Sequence, residues 1–131
     1  MRYVRENEKS TSGEIRICIE SSCPYVEPMD RARELFYQLK MYNTQNRNAV
    51  LIYIAYKDKD FALFGDKEIF DKAPNDFWSK ESKQLARAFY NHEYLKGIVN
   101  GIQSIGQLLK SFFPHHGEIK NELPDEIVFG K

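Results

Sequence analysis

The chain has 131 residues, enough for one domain with a single hydrophobic core. Its 19 basic residues balance 19 acidic ones, so the overall charge gives no electrostatic footprint for nucleic acid or for an anionic membrane. No stretch approaches the roughly 20 consecutive apolar residues of a membrane-spanning helix, and the first residues lack the apolar core of a signal peptide.

The first two predicted elements are a strand and a helix. Residues 14–20 alternate between apolar and polar side chains, with three isoleucines on one face, as in a strand with one strongly apolar side. After a loop with two prolines, Asp30 is placed to cap a helix, because its carboxylate can accept hydrogen bonds from free backbone N–H groups. Apolar residues then recur at helical spacing through residue 39, which predicts one buried helical face.

The next apolar run is the centre of the predicted sheet. Residues 49–56 form an unbroken apolar run rich in β-branched and aromatic side chains, which is typical of a strand covered on both faces. A short polar turn and the apolar run 61–65 predict a returning hairpin strand. Strand, helix and strand make a βαβ unit. We therefore expect a mixed sheet in which 49–56 is interior, parallel to 14–20 and antiparallel to 61–65.

Helices account for most of the remaining sequence. The patterns predict a short helical turn over 68–73, a helix over 77–90 and a longer helix over 94–113 that ends before Pro114. Gly97, Gly101 and Gly106 lie inside the long helix, where each costs up to about 1 kcal/mol relative to alanine. We interpret them as points where another element approaches closely, the alternative being a flexible hinge. Residues 121–126 are predicted to be an extended or turning tail.

The two cysteines point to a compartment. Cys18 falls inside the first predicted strand and Cys23 just beyond its end, so their separation along extended chain argues against a disulfide between them. Two unpaired cysteines in a chain without an export signal indicate a reducing cytoplasm.

Several segments, taken in order, resemble the TPM domain family, the domain of thylakoid-lumen phosphatase-like and photosystem-repair proteins, and in particular its short, single-domain bacterial members. The segments are 11–17, 44 with 47–53, 61–66, 77–78, 94–106, 113–114 and 121–126. The resemblance covers nearly all of residues 1–131 as one domain. It implies a Rossmann-like α/β sandwich, a small mixed sheet with helices on both faces. It also implies binding of a divalent cation, calcium before magnesium, and weak acid phosphatase activity in plant relatives.

Polar residues from three segments converge, by the predicted topology, at the end of the sheet where the two parallel strands begin. Glu14 and Asp66 there offer carboxylate oxygens of the kind that a hard cation takes. The residues that we expect to bind a ligand at this end are Arg47, Asn48, Ser12 and Thr44. Arg47 can bind a phosphate or carboxylate through two N–H groups. The alternative stays open that these are structural corners, with Asn48 in a turn and Asp66 capping the following turn.

The opposite end of the sheet offers a second cation site. Asp58 and Asp60 lie on the predicted hairpin tip near residues 20–22, and open α/β sheets bind ligands beyond the carboxyl ends of their parallel strands. The alternative here is an ordinary solvated hairpin. A zinc site at His115 and His116 is disfavoured, because adjacent residues rarely point at one metal and no partner has ligand spacing.

No dinucleotide fingerprint, nucleophile elbow or kinase motif is present in the sequence. We therefore expect a cytoplasmic domain that binds a divalent cation and has an interaction or regulatory role. Its partner would be a protein or a small phosphorylated ligand. The alternative is a metal-dependent acid phosphatase that acts on phosphomonoesters, with a metal-activated water as nucleophile.

Overall fold

A computed structural model of the chain describes residues 13–114 and the backbone of 127–129. In chain order the described elements are β1 (Glu14–Glu20), α1 (Pro28–Gln38), β2 (Ala49–Ala55), β3 (Asp60–Gly65), α2 (Lys67–Lys72), α3 (Phe77–Tyr90), α4 (Tyr94–Phe112) and β4 (Ile127–Phe129). They form the predicted Rossmann-like α/β sandwich around a mixed sheet with strand order β3-β2-β1-β4. None of the described helices is long and apolar enough to cross a membrane.

The predicted strand pairing is confirmed. β2 is interior, parallel to β1 with Glu14 opposite Ala49, and antiparallel to β3 with Val50 opposite Gly65. Every residue of β2 is buried, as its unbroken apolar run requires. The boundaries move by one residue, because Tyr56 belongs to the turn and Asp60 to β3.

Helices cover both faces of the sheet, as predicted. On one face the isoleucines of β1 and alternate residues of β2 pack against α2, α3 and α4. On the other face Cys18, Leu51 and Tyr53 pack against Ala32 and Phe36 of α1. Helix α1 begins at Pro28 rather than after Asp30, since proline is favoured in a first helical turn, where its missing N–H costs nothing.

One strand was not predicted from the sequence. β4 pairs in parallel with β1, Ile17 opposite Ile127. Three residues are too few to show a period, so the apolar segment did not stand out. The tail predicted over 121–126, and the residues His115 and His116, lie outside the described part of the chain.

The glycines of α4 are not equivalent. A Cβ built on Gly97 would lie 2.5 Å from the Cβ of Ala88 in α3, so the interpretation of close approach is confirmed there. A Cβ built on Gly101 would meet none of the described atoms within 4 Å. The antiparallel contact of α3 and α4 therefore depends on the absence of a side chain at Gly97.

Candidate functional site

The backbone brings the predicted segments together at the end of the sheet where β1 and β2 begin, which we call the amino end. Glu14 pairs with Ala49 on one side, and the Asp66 N–H donates to the Ala49 carbonyl oxygen on the other (2.9 Å). Asn48 and Thr44 are buried just before β2. Ser12 lies outside the described residues.

Asp66 at this end is occupied by protein donors. Arg47 binds its carboxylate through two N–H groups, with Nε 2.8 Å from Oδ2 and Nη2 2.9 Å from Oδ1. The Lys67 N–H also donates to Oδ1 (2.8 Å), so Asp66 caps α2, which is the structural alternative considered from the sequence. The hydrogen bond to Asp66 raises the pKa of Arg47 above its usual value.

The described residues of the amino end do not fit a calcium cage. Calcium takes six to eight oxygen ligands. The backbones of Glu14 and Asp66 lie on either side of Ala49, two strand spacings or about 10 Å apart. Among the residues that the structure describes, no group of three or more His, Cys, Asp or Glu side chains is placed to hold a metal ion.

The hairpin tip lies against the loop after β1, as predicted. The Lys57 N–H donates to the Ser21 carbonyl oxygen (2.9 Å), and Asp58 Oδ2 accepts from the Cys23 N–H (2.8 Å). Asp60 opens β3 opposite Ala55. Asp58 thus links the hairpin tip to the loop by a hydrogen bond, and Asp60 is the first residue of β3.

An ion-pair network that the sequence did not reveal fills the carboxyl end of β1 and β2. Arg31 of α1 binds the buried carboxylate of Glu20, and the Tyr53 hydroxyl donates to the same carboxylate. Burial acts to raise the pKa of Glu20, but the hydrogen bonds from Arg31 and Tyr53 outweigh it and hold that pKa below the usual value. Burial also raises the pKa of Tyr53. The only sequence signal was that Glu20 shares the less apolar face of β1 with Arg16 and Cys18.

A cleft beside β3 is the concave site that includes predicted residues. We call it the β3 cleft; its volume is about 470 Å³. It is lined by Met29, Arg33 and Tyr37 of α1, by Leu63, Phe64 and Gly65 of β3, by Arg47 and Asp66, and by Lys67, Phe70 and Asp71 of α2. Two of the predicted site residues, Arg47 and Asp66, are therefore in its wall, while Glu14, Thr44 and Asn48 are not.

The walls of the β3 cleft combine cationic and aromatic groups. Its side chains carry three positive and two negative charges. Asp66 is paired with Arg47, and Arg33 makes a solvent-exposed ion pair with Asp30, which is not part of the lining. The guanidinium of Arg33 lies 5.9 Å from the centre of the Phe64 ring. Tyr37 and Phe70 are each more than half exposed, at 53% and 57%. This chemistry suits a ligand that joins an anionic group to an apolar one.

A second cavity, of about 450 Å³, lies between α3 and α4. Its lining is Phe77, Glu81, Asn100, Gln103, Ser104 and Gln107. Burial raises the pKa of Glu81, and the Ser104 hydroxyl opposes that shift by a hydrogen bond.

Comparison with known proteins gives consistent results. A family model described as the TPM domain matches residues 2–108. The NMR structure of the BA42 protein from the psychrophilic bacterium Bizionia argentinensis is 39% identical, covers 98% of this chain and 88% of its own, and superposes with a TM-score of 0.88. The N-terminal domain of cg2496 from Corynebacterium glutamicum shares the fold at 9% identity (TM-score 0.58, 97% and 73% coverage). No curated protein matches the chain.

Proposed function

We propose that this chain, which belongs to the TPM domain family, is a binding domain with an interaction or regulatory role, and that the β3 cleft is its site. The observation that supports this most is the cleft wall, in which Arg33 and Lys67 stand beside the exposed rings of Tyr37 and Phe70. A carboxylate or phosphate group would bind the cations, and an attached apolar group would cover the rings.

The lining of the cleft favours binding over turnover. It contains no Ser, Thr, Cys or His side chain that could act as a nucleophile or as a histidine base. Of its two carboxylates, Asp66 already accepts hydrogen bonds from Arg47 and from the Lys67 N–H. A phosphatase would then depend on the other carboxylate, Asp71, or on a metal-activated water. The proposal is therefore recognition of an acidic or phosphorylated ligand without its hydrolysis.

Two further parts of the sequence-based hypothesis stay predictions. The divalent cation, calcium before magnesium, is supported by the family resemblance and by no cluster among the described residues. The cytoplasmic location is supported by the two free cysteines, Cys18 and Cys23.

Phenyl phosphate is a direct probe of the proposal, because it joins one anionic group to one ring. In an NMR titration of the backbone amides, we expect the largest shifts at the cleft, around Gly65 and Lys67. Phenyl phosphate should bind more tightly than inorganic phosphate or phenol alone. Lys67→Met should weaken binding about two- to fivefold, the size of an exposed charge interaction. The matched control is Lys57→Met on the hairpin tip, which should leave the affinity unchanged.

The same sample tests the alternative function. Release of phenol from phenyl phosphate is followed with no added metal, with CaCl₂ and with MgCl₂, and we expect none. Steady turnover under any of these conditions would establish the phosphatase and overturn a purely binding role. Shifts that avoid the cleft, or an equal loss on Lys57→Met, would overturn the site.

A further inference from the structure

The backbone of β3 has a row of hydrogen-bonding groups along the outer edge of the described sheet. β3 is an edge strand of the described sheet. The Asp66 N–H donates to the Ala49 carbonyl, and in an antiparallel ladder the bonded pairs alternate. Phe64 and Ala62 therefore direct their N–H and C=O groups toward β2. Phe61, Leu63 and Gly65 direct theirs away from it, toward the outer edge of the described sheet, although the Leu63 residue as a whole is buried.

No described backbone hydrogen bond outside the β2–β3 ladder uses the N–H or C=O of Phe61, Leu63 or Gly65. Two of these residues, Leu63 and Gly65, line the β3 cleft. Natural edge strands are commonly protected by lysine or proline, but the sequence of β3, Asp-Phe-Ala-Leu-Phe-Gly, contains neither. Among the described residues, no backbone partner occupies the outer edge of β3, and its composition favours pairing with another strand.

We propose that an extended peptide segment of a partner protein, with acidic and apolar residues in alternation, adds to the sheet beside β3. This rests on the proposed function, and it names the ligand class of the same cleft. Strand addition provides affinity through main-chain hydrogen bonds and specificity through pockets for alternate side chains.

The two walls of the cleft set the alternation. Successive side chains of an added strand point to opposite faces of the sheet. On the α1 side they meet Arg33 and Tyr37, which suit acidic residues. On the α2 side they meet Phe70 and Asp71, where an apolar residue packs on the ring and an acidic one is repelled by the carboxylate.

A second copy of this chain fits the cleft less well. Its own β3 carries one acidic residue, Asp60, at the start of the strand, and the other five positions are apolar or glycine. Such a strand offers at most one acidic side chain, Asp60, on the α1 side, whereas an alternating acidic peptide offers one at every second position. Charge complementarity therefore favours an acidic peptide over self-association.

The probe is an acetylated and amidated hexapeptide of alternating glutamate and valine. At saturation we expect hydrogen exchange of the Leu63 and Gly65 amides to slow by about tenfold or more, because both N–H groups acquire acceptors. Three control peptides should give no such protection. The first has the same composition arranged as three glutamates followed by three valines, and the second alternates lysine with valine. The third is the alternating acidic peptide with N-methylated valines.

A charge reversal makes the test specific to the α1 wall. Arg33→Glu should weaken the glutamate–valine peptide by about tenfold and allow the lysine–valine peptide to bind. Arg87→Glu, an exposed arginine on α3, is the matched control and should change neither affinity. Binding that survives N-methylation, or that is indifferent to Arg33→Glu, would overturn strand addition.

The outcomes separate this inference from the function on which it rests. If phenyl phosphate binds at the cleft but no peptide protects Leu63 and Gly65, the cleft binds anions and the strand addition is wrong. If neither ligand binds, the proposed function is also wrong. If the Leu63 and Gly65 amides are protected without peptide, and their protection rises with the fraction of dimer measured by light scattering, the occupant is a second copy. The peptide proposal is then overturned.

Discussion

The guanidinium of Arg31 binds the carboxylate of Glu20 at the carboxyl end of β1, with Nε 2.8 Å from Oε2 and Nη2 3.1 Å from Oε1. Open α/β sheets hold their ligands at this end. Here the buried carboxylate of Glu20 occupies it instead, held by Arg31 and by the Tyr53 hydroxyl. Of the two cavities described above, the β3 cleft is the one whose wall includes predicted site residues, Arg47 and Asp66.

Removing Arg31 should be costly, because it leaves the Glu20 carboxylate buried without its cation. We expect Arg31→Gln to lower the free energy of unfolding by about 2–3 kcal/mol, somewhat below the range for a fully buried pair because Arg31 is partly exposed. Urea unfolding measures it. Arg33→Gln, two positions along the same helix, is the control, since its ion pair with Asp30 is solvent-exposed and should be worth less than about 1 kcal/mol. Equal losses would contradict a structural role for the Glu20 pair.

Glu81 should make stability depend on pH in a direction opposite to that of a paired carboxylate. Its pKa is raised by burial, so folding disfavours the ionised form. The contribution of Glu81 to stability is fully present below the pKa of about 4.5 that it has in the unfolded chain. It is lost as the pH rises through the higher pKa of Glu81 in the folded protein. Glu81→Gln should therefore raise the melting temperature at pH 7 and leave it unchanged at pH 4. Glu27→Gln, an exposed control, should change neither value; a stabilisation by Glu81→Gln that is equal at both pH values would exclude ionisation as its cause.

The glycines of α4 should respond differently to the same substitution. Gly97→Ala places a Cβ 2.5 Å from that of Ala88, and we expect it to destabilise the protein by about 1–3 kcal/mol through overpacking. At Gly101 the added Cβ meets none of the described atoms, so Gly101→Ala should be neutral or stabilise by up to about 1 kcal/mol through helix propensity. Thermal unfolding of the two variants compares them. A larger loss at Gly101 would show that another part of the chain approaches α4 there.

Two substitutions locate the predicted calcium site at one end of the sheet or the other. The sequence predicts that Asp66→Asn weakens binding by more than Asp58→Asn does, since three segments converge near Asp66. Calorimetry with CaCl₂ measures both. A larger effect of Asp58→Asn would move the site to the hairpin tip. If neither substitution changes the affinity, the prediction of calcium binding by these carboxylates is wrong. Asp66 and Asp58 then serve only the hydrogen bonds that they accept within the chain.

Local sequence patterns predicted the elements that have a period. The unbroken apolar run gave β2 its interior position, and the alternation of β1 and the turn before β3 fixed their pairing with it. β4 was not predicted because its three residues are too few to show a period. Its place in the sheet depends on pairing with β1, which is distant in sequence.

The candidate site was predictable only in part, for a physical reason. Arg47 and Asp66 stand at strand ends, so topology alone brought them together. The binding of Arg31 to Glu20 depends on where α1 lies along the sheet, which the apolar spacing of the helix does not specify. The β3 cleft draws its aromatic wall from α1 and α2, and a search for clustered polar residues passes over Tyr37 and Phe70.

The pairing of β4 with β1 has a consequence for the order of folding. Ile17 and Ile127 are 110 positions apart, whereas Ala55 and Asp60 in the hairpin are five apart. Closing the longer loop costs on the order of 3 kcal/mol more in chain entropy, and only three residue pairs repay it. β4 should consequently join the sheet late and leave it first. Loss of the β1–β2 hydrogen bonds thus reports the cooperative unfolding of the domain. Loss of the β1–β4 hydrogen bonds reports a partial opening that precedes it.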